Sequence, residues 1–215
     1  SCSDEPGEGE QKLFLHLRNH IQQTDQIAVY GLDSDLIMLS IFHLSYCKNT
    51  YIFREAPEFL RSSIPVDVED NEPYFVDINA LQFGILDHMD CKYNTLHRIQ
   101  DYVFLCFLLG NDFLPHFPSM NIRTHGIDTL LDIYKTTLGN KENAYFINPD
   151  TKKIDWNYVN KYMKQLQEKE YDFLKQEHYV RNRFDKFKFG ETTNEEREKA
   201  LQNTPVLYRK EEKYI

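Results

Sequence analysis

The stretch "QIAVYGLDSDLIML", residues 26–39, decides the fold. Its first residues are rich in β-formers and run into Gly31, which predicts a short buried strand. The apolar run that follows, "DLIMLSIFHL" (35–44), predicts a helix. Between them, "GLDSD" sets Asp33 and Asp35 two positions apart in a turn. In a parallel α/β sheet the loops at the carboxyl ends of strands form the ligand crevice. A glycine permits the sharp path, and alternate residues of an extended loop point to one side. Both carboxylates are therefore candidate ligands.

Outward from this turn the same alternation continues. "TYIF" (50–53) and "YFVDI" (74–78) read as further strands, and "INALQFGILDHM" (78–89) and "LHRIQDYVFLCFLLG" (96–110) read as helices. Upstream, "QKLFLHLRNHIQQ" spaces Leu13, Leu17 and Ile21 four apart, one face of a helix. Strands alternating with helices predict an α/β fold with a mostly parallel sheet. Beyond about residue 120 the strand signal fades. "GIDTLLDIYKTTLG" (126–139) reads as a helix closed by Gly139, and "FINPDTKKIDW" (146–156) has turn chemistry. "DWNYVNKYMKQLQEKEYDFLKQEH" (155–178) predicts a long amphipathic helix with Tyr158, Tyr162, Leu166 and Phe173 on its apolar side. The expected organisation is an α/β half over residues 1–120 and a helical extension over 121–215, whose last part is a polar, loosely packed tail.

The bulk numbers narrow the function classes. A chain of 215 residues, 41% of them apolar, can bury a core of one good-sized domain or one domain plus an appendage. Its net charge of −9 argues against a sequence-independent nucleic-acid sleeve, which needs a basic surface. A metal-dependent phosphodiesterase, which concentrates carboxylates around its ions, remains compatible. Cys2, Cys47, Cys91 and Cys106 are scattered, so neither a zinc site nor a disulfide framework is expected, and the chemistry suits a reducing, intracellular compartment. There is no signal-peptide pattern. The longest apolar run, residues 102–110, is too short to span a membrane and reads as a buried helix.

Two more acidic turns resemble the first. Glu8 and Glu10 lie in "GEGE" before the first helix, and Asp112 lies in "LLGNDFLPHFP", where an apolar helix breaks at Gly110. Taken singly, each acid reads as a helix or turn cap. Taken together, three acidic turns flanked by apolar elements form an oxygen-ligand set of the kind a hard cation such as Mg²⁺ uses. Paired acids beside apolar walls are costly unless a cation compensates them.

At this point the motifs carry a family likeness. "PGEGEQK", "YGLDSDLIML" and "FLLGNDFLPHFPS" resemble, in order and separation, successive motifs of the Xrn-type 5'-3' exoribonucleases. "IFREAPEF", "YFVDINALQFGILDHM" and "IRTHGIDTLLDIYK" resemble the segments between and after them, so the likeness covers about residues 4–138. It implies a PIN/flap-endonuclease-like core with two Mg²⁺ or Mn²⁺ ions, held directly or through water by Glu8, Glu10, Asp33, Asp35 and Asp112. The implied reaction is two-metal hydrolysis of single-stranded RNA with a 5'-monophosphate, releasing 5'-mononucleotides. The family's N-terminal part, with two further acids and the pocket for the 5'-phosphate, precedes the glutamate motif. The expectation is that this chain is an incomplete domain, inactive alone, with that part as its partner and no obligate oligomer.

Three further residues are weighed for nucleic-acid contact: Arg54 after the second strand, and Arg123 with His125 near the start of the helix at 126. Each has a plain alternative, Arg54 pairing with a neighbouring acid and the other two capping a helix. "EHYVRNRFDKFKFG" (177–190) interleaves rings with basic residues, a pattern that tracks single strands or, more often, packs a helix against a surface. His43, His88, His97 and His116 lack ligand spacing and read as structural. The rival functions are a flap-type DNA nuclease and a non-catalytic RNA-binding scaffold.

Overall fold

A computed structural model describes residues 6–55, 73–111 and 114–188, with the side chains of 123 and 181–188 left aside. The chain forms two compact units, Ser1–Val103 with Gly139–Ile154, and Phe104–Leu138 with Asp155–Ile215. The expected polar tail lies outside the described residues.

In the first unit, α1 (Gly9–His20) leads to β1 (Gln26–Tyr30), α2 (Ser34–His43) and β2 (Asn49–Glu55), and then to β3 (Pro73–Asp77) and α3 (Ile78–Met89). The strands form one sheet in the order β1-β2-β3. β1 and β2 are parallel, with Val29 opposite Ile52 and Tyr30 opposite Phe53. The pairing of β2 with β3 is antiparallel, with Ile52 opposite Val76 and Arg54 opposite Tyr74. This corrects the expected mostly parallel sheet: the fold is mixed α/β. A parallel return needs a long crossover, usually a helix. Helix α2 supplies one between β1 and β2.

Period-2 alternation divides the sheet faces. Val29, Thr50, Ile52 and Arg54 are buried on one face, which α2 and α3 cover, while α1 packs on α2. Phe14, Leu36, Ile41, Ile78 and Leu86 supply the helical side of this core. The other face carries a ring cluster: Tyr30 lies 5.7 Å from Phe53, and Phe53 lies 4.9 Å from Phe75. Tyr30 and Phe75 stay 63% and 61% exposed, so nothing described covers this face.

Within this unit two charged side chains of α4 (Arg98–Phe107) fasten the segment 139–154. Arg98 is fully buried. Its Nε donates to the Tyr93 carbonyl at 2.5 Å, Nη1 to Ala144 at 3.2 Å and Nη2 to Lys141 at 2.8 Å, and the guanidinium lies over the Tyr145 ring. Asp101, also fully buried, accepts the amides of Phe146 and Ile147, both at 2.9 Å. The clamp turns a run without its own strand or helix into a fixed wall of the core.

The second unit holds the end of α4, a 3-10 turn (Ile122–Thr124), α5 (Gly126–Tyr134) with a π-helical turn (Lys135–Gly139), and the long α6 (Trp156–Lys188). α6 packs on α5 through Val159, Tyr162 and Leu166, which are buried beside Leu130 and Tyr134. Tyr162 donates its hydroxyl to the Leu130 carbonyl at 3.0 Å, and burial pushes its phenol pKa up. Val159 thus occupies the buried position, with Tyr158 and Phe173 half-buried at the edge of the stripe. Among the described residues no helix is long and apolar enough to cross a membrane.

Candidate active site

The direction of the helices decides where the acids fall. A small cavity is lined by Leu17, Arg18 and Ile21 from the end of α1 and by Ile27 from the start of β1. His43 from the end of α2, Cys47 from the connection after it and Thr50 from the start of β2 help to complete it. Both helices therefore run against both strands, and their N-termini lie at the carboxyl ends of β1 and β2. Glu10 precedes Arg18 by eight residues and Asp35 precedes His43 by eight, a helical rise of about 12 Å in each case. The expected residues Glu8, Glu10, Asp33 and Asp35 are thereby delivered to the same end of the sheet.

Each is held there by local chemistry. Asp33 is the N-cap of α2, in extended conformation, and its Oδ1 accepts the Asp35 amide at 3.1 Å. Asp33 is exposed and Asp35 half-buried. Gly31 continues the ladder by donating to the Phe53 carbonyl at 3.2 Å. A Cβ on Gly31 would overlap the end of the buried Leu36 side chain, which would have to shift to admit it. Glu8 is the exposed N-cap of α1 and makes no side-chain cap bond, while Glu10 lies in the first turn, half-buried. Among the described residues, no three His, Cys, Asp or Glu side chains come close enough to hold a metal ion. The donor set is all carboxylate oxygen, which fits a hard cation and not zinc.

Asp112, the fifth expected acid, lies outside the described residues, but its flanks are defined in the second unit. Gly110 has φ +85°, and a Cβ there would sit 2.7 Å from the His116 amide nitrogen. Asn111 donates its amide to the Leu114 carbonyl and accepts the Leu114 amide on Oδ1, both at 2.8 Å. Phe117 then donates to the Leu108 carbonyl at 3.2 Å, closing the loop. Sequence reading missed the role of Asn111, although Asn ahead of a Pro-containing turn is a signal for side-chain-to-backbone closure.

The three weighed contacts divide. Arg54 is only 7% exposed, and its Nε finds no acceptor. The expected alternative, pairing with a neighbouring acid, is absent among the described ion pairs. Arg123 sits in the 3-10 turn, with its side chain outside the described residues. His125 caps α5 with φ +61° and no side-chain cap bond; its ring is largely exposed and meets Asp128 at 3.1 Å. Most of the rings and basic groups of residues 177–190 likewise fall outside the described side chains.

Of the histidines read as structural, His43 has the most defined role. Its Nδ1–H donates to the Leu39 carbonyl at 2.6 Å, and Nε2 accepts from Arg18 Nε at 2.6 Å. Burial lowers its pKa below 6.5, the backbone bond opposes this, and the Arg18 charge lowers it further. The neutral tautomer thus latches α1 to α2 at the end away from the acids.

A mixed α/β unit with acidic turns at the N-termini of α1 and α2, followed by a helical unit, defines the class of protein. The family models specify it. Residues 1–56 match the XRN 5'-3' exonuclease N-terminus, and residues 92–214, more than half of the chain, match the Xrn1 helical domain. The chain belongs to the Xrn 5'-3' exonuclease family. It is 29% identical to 5'-3' exoribonuclease 2 of Candida albicans over 91% of its own length and 22% of the relative's. It is 30% identical to the protein of that name from Arabidopsis thaliana over 76% of the chain and 20% of the relative. The corresponding protein of Neurospora crassa is 31% identical over 62% and 16%. The chain thus spans about a fifth of the length of such relatives.

Proposed function

We propose that this chain forms part of a 5'-3' exoribonuclease site on a PIN-like core, hydrolysing phosphodiester bonds of single-stranded RNA that carries a 5'-monophosphate. The observation that carries the reading is the common placement of Glu8, Glu10, Asp33 and Asp35 at one end of the sheet, in a member of this family. These four, with Asp112, would hold two Mg²⁺ or Mn²⁺ ions. Such ions activate the attacking water and stabilise the leaving oxygen. The chain's own contribution is positioning. The cap bond engages one oxygen of the exposed Asp33, and Gly31 lets the turn lie close over Leu36. The Asn111–Leu114 closure fixes the flanks of Asp112.

Arg123 and His125, at the start of α5, would meet the RNA backbone. The uncovered ring cluster of Tyr30, Phe53 and Phe75 supports the need for further protein of the same domain. A contiguous exposed patch of large rings marks an interaction surface. Taken alone, the 215-residue chain is therefore expected to bind metal but not to turn over RNA.

Calorimetric titration with Mn²⁺ tests the reading. Binding by the chain that is lost in Asp35→Asn supports it. Equal heats from both proteins, or none from either, would favour the non-catalytic scaffold. Release of 5'-mononucleotides by the isolated chain with Mg²⁺ would refute the expected inactivity.

A further inference from the structure

Arg54 is the residue at this end of the sheet whose position its own fold does not explain. It stands on the helix-covered face, one residue before the end of β2, opposite Tyr74 on β3 and one residue past Phe53, whose carbonyl accepts from Gly31 just beyond β1. Gly31 is two residues before Asp33, and Leu36, on the first turn of α2, fills the space above it. Arg54 thus stands at the carboxyl end of β2, the same end of the sheet at which β1 runs into the turn that carries Asp33 and Asp35.

A buried donor without an acceptor costs on the order of 1–3 kcal/mol, and more when it is charged. Elsewhere the fold satisfies such a group completely: Arg98 donates to three carbonyls. Arg54 has no such set, and its Nε is left without a partner. Acids capable of pairing with it are delivered to the same end, yet none of the described ones forms an ion pair with it. A cation kept apart from neighbouring carboxylates is available to an anion that the protein does not itself supply. Guanidinium groups bind phosphate oxygens through charge-assisted bonds, which strengthen when water is excluded.

We propose that Arg54 is a phosphate-holding residue: its guanidinium takes an oxygen of a nucleotide phosphate at the acid-lined end of the sheet. The assignment rests on the exoribonuclease reading for the identity of the ligand, though not for the existence of the anion site. It gives the acidic end a protein-borne positive group beside the carboxylates, so that metal and phosphate are held by different side chains.

The test follows the Arg54 Nε–H signal by NMR while the full chain is titrated with inorganic phosphate and then with uridine 5'-monophosphate, each with and without Mn²⁺. A saturable shift of that signal is expected, with affinity weakened at least about tenfold in Arg54→Gln and partly restored in Arg54→Lys. A shift with phosphate and none with the nucleotide would assign a free-anion site and overturn the nucleotide assignment. A silent Arg54 signal, or unchanged affinity in Arg54→Gln, would overturn the proposal altogether. The wild-type signal decides the matter even if the glutamine variant fails to fold. Mn²⁺ calorimetry on the same samples keeps the two readings apart. Arg54→Gln is expected to bind Mn²⁺ as the parent chain does, and loss of Mn²⁺ binding in Asp35→Asn leaves the phosphate response in place.

Discussion

At one end of the sheet, Phe14, Ile27, His43, Cys47 and Thr50 close the core where two helices end and two strands begin. At the other, Glu8 and Asp33 stand in solvent where the same helices begin. Both ends share helices and strands, but their chemistry differs. The first end is held by ring contacts, as between Phe14 and His43 at 4.6 Å, and by directed bonds from Arg18 and to Leu39. The second is held by backbone geometry: a cap bond at Asp33 and a glycine at 31. Packing is concentrated at the first end, and exposed carboxylates at the second.

Substitutions should therefore separate the ends. Phe14→Ala, which empties a fully buried position, is expected to cost about 3–5 kcal/mol in urea denaturation. Mn²⁺ affinity of the fraction that remains folded should not change. Gly31→Ala adds one methyl against Leu36 and is expected to cost about 1–3 kcal/mol. It should weaken Mn²⁺ binding as well, because the turn carrying the acids must shift. Asp33→Ala removes a cap worth about 1 kcal/mol together with a carboxylate, whereas Asp33→Ser retains a good cap. Stability should return in the serine variant while Mn²⁺ affinity stays reduced; recovery of both would make Asp33 a cap and nothing more. Glu8 makes no side-chain cap bond, so Glu8→Gln should leave the denaturation midpoint within about 0.5 kcal/mol of the parent.

The packed end should also respond to acid. His43 is neutral in the fold with its pKa lowered by burial, so below 6.5 the unfolded chain binds the proton more readily than the folded one. Stability should then fall as pH drops through 6.5 toward the lowered value, and level off beneath it. Protonation would also set a second positive charge against Arg18. Denaturation midpoints of the parent and of His43→Gln between pH 7 and pH 5 check this; parallel curves would show that the latch is not the titrating group.

Much of the first unit was readable because its periodicities are strong. Leu36 and Ile41 mark the buried side of α2, and the alternation in β2 divides Ile52 from Phe53. The acidic turns were readable as motifs because "GLDSD" and "GND" join glycine to carboxylates at short spacing. Strand sense was not readable, since the alternation within β3 is the same whichever way it pairs. Nor could the Arg98–Asp101 clamp be read, because its acceptors and donors are backbone groups, at 141–147, that look alike in every residue. The link of His43 to Arg18 depends on two helices meeting through residues 25 apart in sequence, which no local pattern announces.

The shared direction of α1 and α2 has an electrostatic consequence. A helix N-terminus carries roughly half a positive elementary charge from its aligned peptide dipoles. With both N-termini at the acid end, the backbone itself supplies about one positive charge beside four carboxylates. That softens their mutual repulsion. The scaffold thus helps the fold to tolerate several acids at one end of the sheet.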